Sequence, residues 1–213
     1  MKNIFFVLML MLNFYAGAQI SNYENIMFEK VSDIESSLKN SEAIFALGNS
    51  FEEIANLEKE QWLPYYYASY CYVMAAFMQK DTSKIDLLAG KAEELLNKAD
   101  LLNKNNSEIT CIRSLIASAR IMVNPYLRGM KYGIIAGQMF NKAKLENPDN
   151  PRVYFLEAQS LKFMPEEYGG GCKNAKPILE TAIEKYSNFK IESNVHPNWG
   201  YEGVVELLDE CNI

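Results

Sequence analysis

The run MPEEYGGGCKNAKPILE, residues 164 to 180, sets three contiguous glycines, a cysteine and a lysine at the mouth of a helix-like segment. Glycine-rich backbone followed by lysine can cradle phosphate when it reads GxxxxGK, then Ser or Thr, after a buried strand. Here Asn174 follows Lys173, the glycines are contiguous and no strand signal precedes them, so a phosphate cradle is not expected. A thiol at a helix N-terminus is acidified, which makes Cys172 a candidate nucleophile. The third reading is a turn, in which Pro165 stops one helix and Gly169, Gly170 and Gly171 permit positive φ before the next begins near Cys172.

The other chemistry-bearing residues are scattered. Cys71, Cys111, Cys172 and Cys211 include no CxxC pair, which excludes a thioredoxin-like motif, and spacing alone leaves three pairings open. The single histidine, His196 in NVHPNWG, stands apart from them, so no metal site is expected. Its ordinary pKa suits a general base, yet no nucleophile or carboxylate accompanies it in a motif, and Pro197 and Trp199 mark a linker. Glu166 and Glu167 beside Tyr168 are the residues a hydrolytic enzyme with dispersed carboxylates would use. No acid pair, activated nucleophile or cofactor motif is legible, and the expectation is a protein with no catalytic, cofactor or metal residues. Tyr65, Tyr66, Tyr67, Tyr70 and Tyr72 cannot all share one helical face; Tyr65 and Tyr66 are candidates for lining a groove.

Composition narrows the setting. Lys2, the apolar run IFFVLMLMLNFYA and Ala16-Gly17-Ala18 form a secretory signal, residues 1 to 18, ahead of one domain over 19–213. That run is shorter than the roughly 20 residues a membrane span needs, and no cysteine follows it to carry a lipid, so an exported, periplasmic protein is expected. A formal net charge of −6 argues against nucleic acid and anionic lipid as partners.

The elements that must position these residues are helices. Apolar-periodic windows such as FEEIANLEKE and AKPILETAIEKY alternate with Asn, Pro and Gly breaks. Ala55, Ala99 and Ala143 recur 44 residues apart, and Ala182 follows after 39. Around them Ala92, Leu96 and Ala99 repeat as Ala136, Phe140 and Ala143, then as Ala175, Leu179 and Ala182, which puts small residues on one face of successive second helices. Repeats fall at about 61–105, 106–149 and 150–190, with 191–213 as a C-terminal cap. A last helix from about Trp199 to Glu210, running antiparallel to the one before it, predicts a Cys172–Cys211 disulfide and leaves Cys71 and Cys111 as buried thiols.

The pattern Tyr154, Ala158, Leu161, then Ala175, Leu179, Ala182, with Pro148 in the break after Ala143, resembles the tetratricopeptide repeat. Together with WLPYYYASYC, EEYGGG and HPNWG it is similar to small exported tetratricopeptide proteins of Bacteroidetes. The resemblance implies an all-α, right-handed solenoid of antiparallel helix pairs with a capping helix, and no established activity. The repeats exceed the usual 34 residues, and the excess is expected as long turns within each pair, in QKDTSKIDLLAG, NPYLRGMKYG and MPEEYGGG. Tyr126, Arg128, Lys131, Tyr132, Glu166, Glu167 and Tyr168 would then gather on one edge. The expected function is an exported interaction or scaffolding module that binds a protein or peptide partner through its concave groove and this turn edge. The alternative is a periplasmic accessory subunit of a solute uptake system holding a small ligand.

Overall fold

The computed structural model describes residues 22–212; the expected signal segment lies outside them. The described residues are helical, with no strand among them. Helix α1 spans residues 22–32, and α2 is a single turn, Ile34–Ser37. They are followed by α3 (Ser41–Leu57), α4 (Trp62–Phe77), α5 (Thr82–Leu102), α6 (Ser107–Met122), α7 (Pro125–Glu146), α8 (Pro151–Phe163), a 3-10 turn at Glu166–Tyr168, α9 (Cys172–Asn188) and α10 (Tyr201–Glu210).

Five of the long helices begin at a side-chain cap; α4 and α9 do not. The carboxamide oxygens of Asn40, Asn106, Asn124 and Asn150 accept from backbone N–H groups in the first turns of α3, α6, α7 and α8, and Asp81 does the same for α5. Pro125 and Pro151 occupy the first turns of α7 and α8, where the missing N–H costs nothing.

Helices pair as antiparallel neighbours, α4 with α5, α6 with α7 and α8 with α9, while α3 lies against α4. The first helices of these pairs also touch one another, α4 on α6 and α6 on α8. The repeated small residues explain the close approach: Ala55, Ala92, Ala99, Ala136, Ala143, Ala175 and Ala182 are all buried. Between pairs, α5 and α6 are stitched by ions in register. Arg113 meets Asp100 and Arg120 meets Glu93, seven residues apart on each helix, and Arg128 at the start of α7 meets Asp86 a further seven back on α5.

The extra length of the repeats does not lie in turns, contrary to the sequence expectation for two of them. The α6–α7 connection is only Val123 and Asn124, and most of QKDTSKIDLLAG and NPYLRGMKYG is helix. The caps at Asp81 and Asn124, with Pro125 next, start α5 and α7 early. Each interior glycine costs only about 1 kcal/mol of helix propensity, too little for Gly129 and Gly133 to break a helix so anchored. Only MPEEYGGG forms a true turn.

Candidate functional site

The amino ends of α4, α6 and α8 meet at a buried polar centre. Arg152 is 0% exposed, and its Nε and Nη2 donate to the two carboxylate oxygens of Glu108 at 2.6 and 2.5 Å. Asn150 joins the same cluster, donating from Nδ2 to Ser107 Oγ and Glu108 Oε1, each at 2.8 Å. Tyr66 is 0% exposed; its hydroxyl lies 3.5 Å from Glu108 Oε2 and accepts from Trp199 Nε1 at 2.9 Å. Burial first, and the Glu108 charge second, push the Tyr66 hydroxyl far above its ordinary pKa, so it is neutral and serves as a hydrogen-bonding core residue.

This centre is roofed by residues 189–200, a strap of irregular chain between α9 and α10. Val195 O accepts from Tyr67 Oη at 2.9 Å, Trp199 stacks on Tyr70 with ring centres 4.9 Å apart, and His196 approaches Trp62 at 6.0 Å. Phe189 and Trp199 lie over the Arg152 guanidinium at 4.6 and 5.7 Å. The face of the first helices, expected to be an open groove, is therefore filled by the chain itself. Tyr65 and Tyr66, expected to line it, are both buried, the first 7% exposed and the second 0%. His196 is held by Ser193 Oγ at 2.8 Å from Nδ1 and by Glu192 at 3.1 Å from Nε2; it belongs to the strap and lies over the start of α4.

The aligned amino ends of α4, α6 and α8 make these helices parallel, so their carboxyl ends share the opposite edge. There stand the α6–α7 connection and the MPEEYGGG turn. The turn is built for glycine: φ is 84° at Gly169 and 86° at Gly171, and a Cβ on Gly170 would lie 1.9 Å from Met164 O. Glu166, Glu167 and Tyr168 are exposed on it. On α7, Tyr126 and Lys131 are exposed. Arg128 is engaged with Asp86 at 2.8 Å, and Tyr132 is half-buried, with Arg120 5.9 Å and Lys131 Nζ 5.1 Å from its ring centre. Cys172, beyond the turn, is bridged to Cys211 with Cα atoms 5.2 Å apart, so it is not a free nucleophile in this form. Cys71 and Cys111 are buried thiols whose pKa burial pushes up.

Around the expected candidate Tyr126, the same edge carries apolar residues that the sequence did not single out. Tyr126 is 96% exposed, Leu127 72% and Met130 84%. Ile134 continues the row one turn along, with Met122 at the end of α6 and Phe163 at the end of α8 also exposed. Positions 126, 130 and 134 advance four residues at a time and span about 12 Å of helix. Beside them Gly129, Gly133 and Gly137 leave a bare flank, since a Cβ on any of the three would meet nothing within 4 Å. The one available signal was that α7 is apolar on two sides, when one is enough to pack it.

Two open clefts lie elsewhere. One of 370 Å³ is lined by charged residues of α3 and α5, among them Glu52, Asp86 and Lys91. The other, of 350 Å³, lies between the end of α9, the strap and the start of α10, with Ile183, Tyr186, Phe189 and Tyr201 in its wall. Among the described residues no three His, Cys, Asp or Glu gather as a metal site, and no helix is long and apolar enough to cross a membrane.

Among solved structures, the chain is similar to that of the HusA haemophore from Porphyromonas gingivalis. Sequence identity is 36% and the TM-score 0.80, covering 89% of this chain and 92% of the haemophore. No family model and no curated protein matches the chain, so the tetratricopeptide resemblance has no family match behind it.

Proposed function

The chain belongs to the family of the HusA haemophore, and from that premise we propose that it is an exported, non-catalytic protein that binds haem. The observation that carries the reading is the likeness itself, which extends over nearly the whole of both chains rather than a shared repeat. The exposed row on α7 supports a place for the ligand. Haem offers a flat, largely apolar macrocycle and two carboxylates. Tyr126, Leu127, Met130 and Ile134 present apolar surface facing water, and Lys131, one turn from Leu127, supplies a positive charge at its border. Covering such a surface releases its water, worth about 25 cal/mol per Å² buried.

The stacked helix pairs read as a tetratricopeptide-like, right-handed solenoid, and the carboxyl-end edge of α6 and α8 as its working rim. Capture of a protein partner is the second reading, supported by Tyr168, Glu166 and Glu167 on the neighbouring turn, which add polar specificity beside an apolar strip. The periplasm or the cell exterior is the setting both readings require.

Titration of the purified exported protein with haemin, followed by haem absorbance and by quenching of Trp62 and Trp199 fluorescence, tests the proposal. Saturation at a fixed stoichiometry with micromolar or tighter affinity is expected. Absorbance that tracks free haemin throughout would refute it.

A further inference from the structure

We propose that the Cys172–Cys211 disulfide is a redox latch that holds the 189–200 strap over the Glu108–Arg152 centre, and that its reduction opens the strap and α10 together while leaving the helix pairs folded.

The segment from Cys172 to Cys211 is a covalent ring that starts at the first residue of α9 and closes just past the end of α10. Inside it, α9 is fixed by its pairing with α8. The remainder is held by contacts to other helices rather than by regular structure of its own. The strap forms no helix, and α10 has ten residues, of which only Val204 and Leu207 are buried. A helix that short is marginal without tertiary support, and α10 packs mainly against α9 and, less, α8. Strap and α10 thus have the character of a local unit that opens at lower cost than the whole molecule. The ring restricts how far that unit can move, and both of its cysteines are half-buried residues rather than enclosed ones.

Opening has a definite chemical result. It removes Trp199 from Tyr66, Tyr70 and Arg152, and Val195 from Tyr67, which bares a tyrosine-lined floor with the guanidinium at its centre. Arg152 Nη1 already has no hydrogen-bond partner among the described residues, so the closed state does not fully satisfy that cation. The redox step balances as thiol exchange. One thiolate of a dithiol attacks a sulfur of the bridge, the Sγ–Sγ bond breaks, and the released cysteine thiolate takes up a proton. The second thiol then displaces the other cysteine as a thiol and leaves the reductant as a disulfide.

The test is hydrogen exchange on the full-length exported protein with and without dithiothreitol, after thiol counting confirms two new thiols. Protection of amides in 195–210 should fall at least tenfold on reduction, with those of α4 to α8 unchanged, and in a Trp62→Phe background Trp199 emission should shift to the red. Unchanged protection in the fully reduced protein would overturn the proposal. So would equal loss across every helix, which would make the bridge a staple of the whole fold. A C172S/C211S double variant, which carries no bridge in any buffer, should reproduce the reduced pattern without dithiothreitol.

Discussion

Arg152 on α8, itself fully buried, grips both carboxylate oxygens of the mostly buried Glu108 on α6, at 2.6 and 2.5 Å. A buried pair of this kind adds little over an apolar one, but breaking it strands a charge. Glu108→Ala is therefore expected to lower the unfolding free energy by about 3–5 kcal/mol. The exposed pair Lys185–Asp149 is the control, and Lys185→Ala should cost far less than Glu108→Ala. Urea unfolding followed by circular dichroism measures both; equal costs would contradict the account of the polar centre.

Two glycines should respond in opposite directions to the same change. Alanine at Gly170 drives a methyl into the Met164 carbonyl and is expected to cost about 1–3 kcal/mol. Alanine at Gly133 meets open space within a helix and should stabilise by roughly 0.5–1 kcal/mol. Thermal melts of the two variants give the comparison.

The apolar row on α7 is tested by charge. Glutamate at both Leu127 and Met130 should leave helical content intact and weaken haemin binding at least tenfold, about 1.4 kcal/mol. Leu145 is equally exposed at the far end of α7, and Leu145→Glu should bind as the parent does. If the two variants behave alike in the titration, the row is not the haem surface.

The Asp86–Arg128 pair carries a pH dependence. The hydrogen bond from Arg128 holds the Asp86 carboxyl below the ordinary aspartate range. A lowered folded-state pKa contributes stability above the unfolded value, about 3.9, and loses it as pH falls through the folded one. Both side chains are substantially solvated, so the contribution should stay under about 1 kcal/mol. Asp86→Asn should show that deficit at pH 7, and the deficit should shrink progressively below pH 4. Chemical unfolding at both pH values measures it.

Much of the helical framework could be read from residue types, because caps and small residues act locally. Ala99, Ala143 and Ala182 sit on buried helical faces with Asn106 and Asn150 as the next caps, and all are where the 3.6-residue period puts them. The glycine turn was legible for the same reason. The strap was not: nothing in NVHPNWG indicates that Trp199 must travel back to Tyr70, since a contact across 129 residues is decided by which surface is left open once the helices have packed. Apart from Tyr126, the α7 row was missed because NPYLRGMKYG was expected as a turn, which gave Leu127 and Met130 no helical face to share with Ile134. Only packing shows that Ala136, Phe140 and Ala143 already satisfy that helix, leaving Met130 and Ile134 outside.

An oily rim in water attracts copies of itself as readily as it attracts cargo. The formal charge of −6 opposes such clumping over a range of only about 8 Å at physiological ionic strength. Raising salt should therefore make the empty protein cluster, whereas occupancy of the rim should keep it dispersed. Solubility would then depend on the load carried.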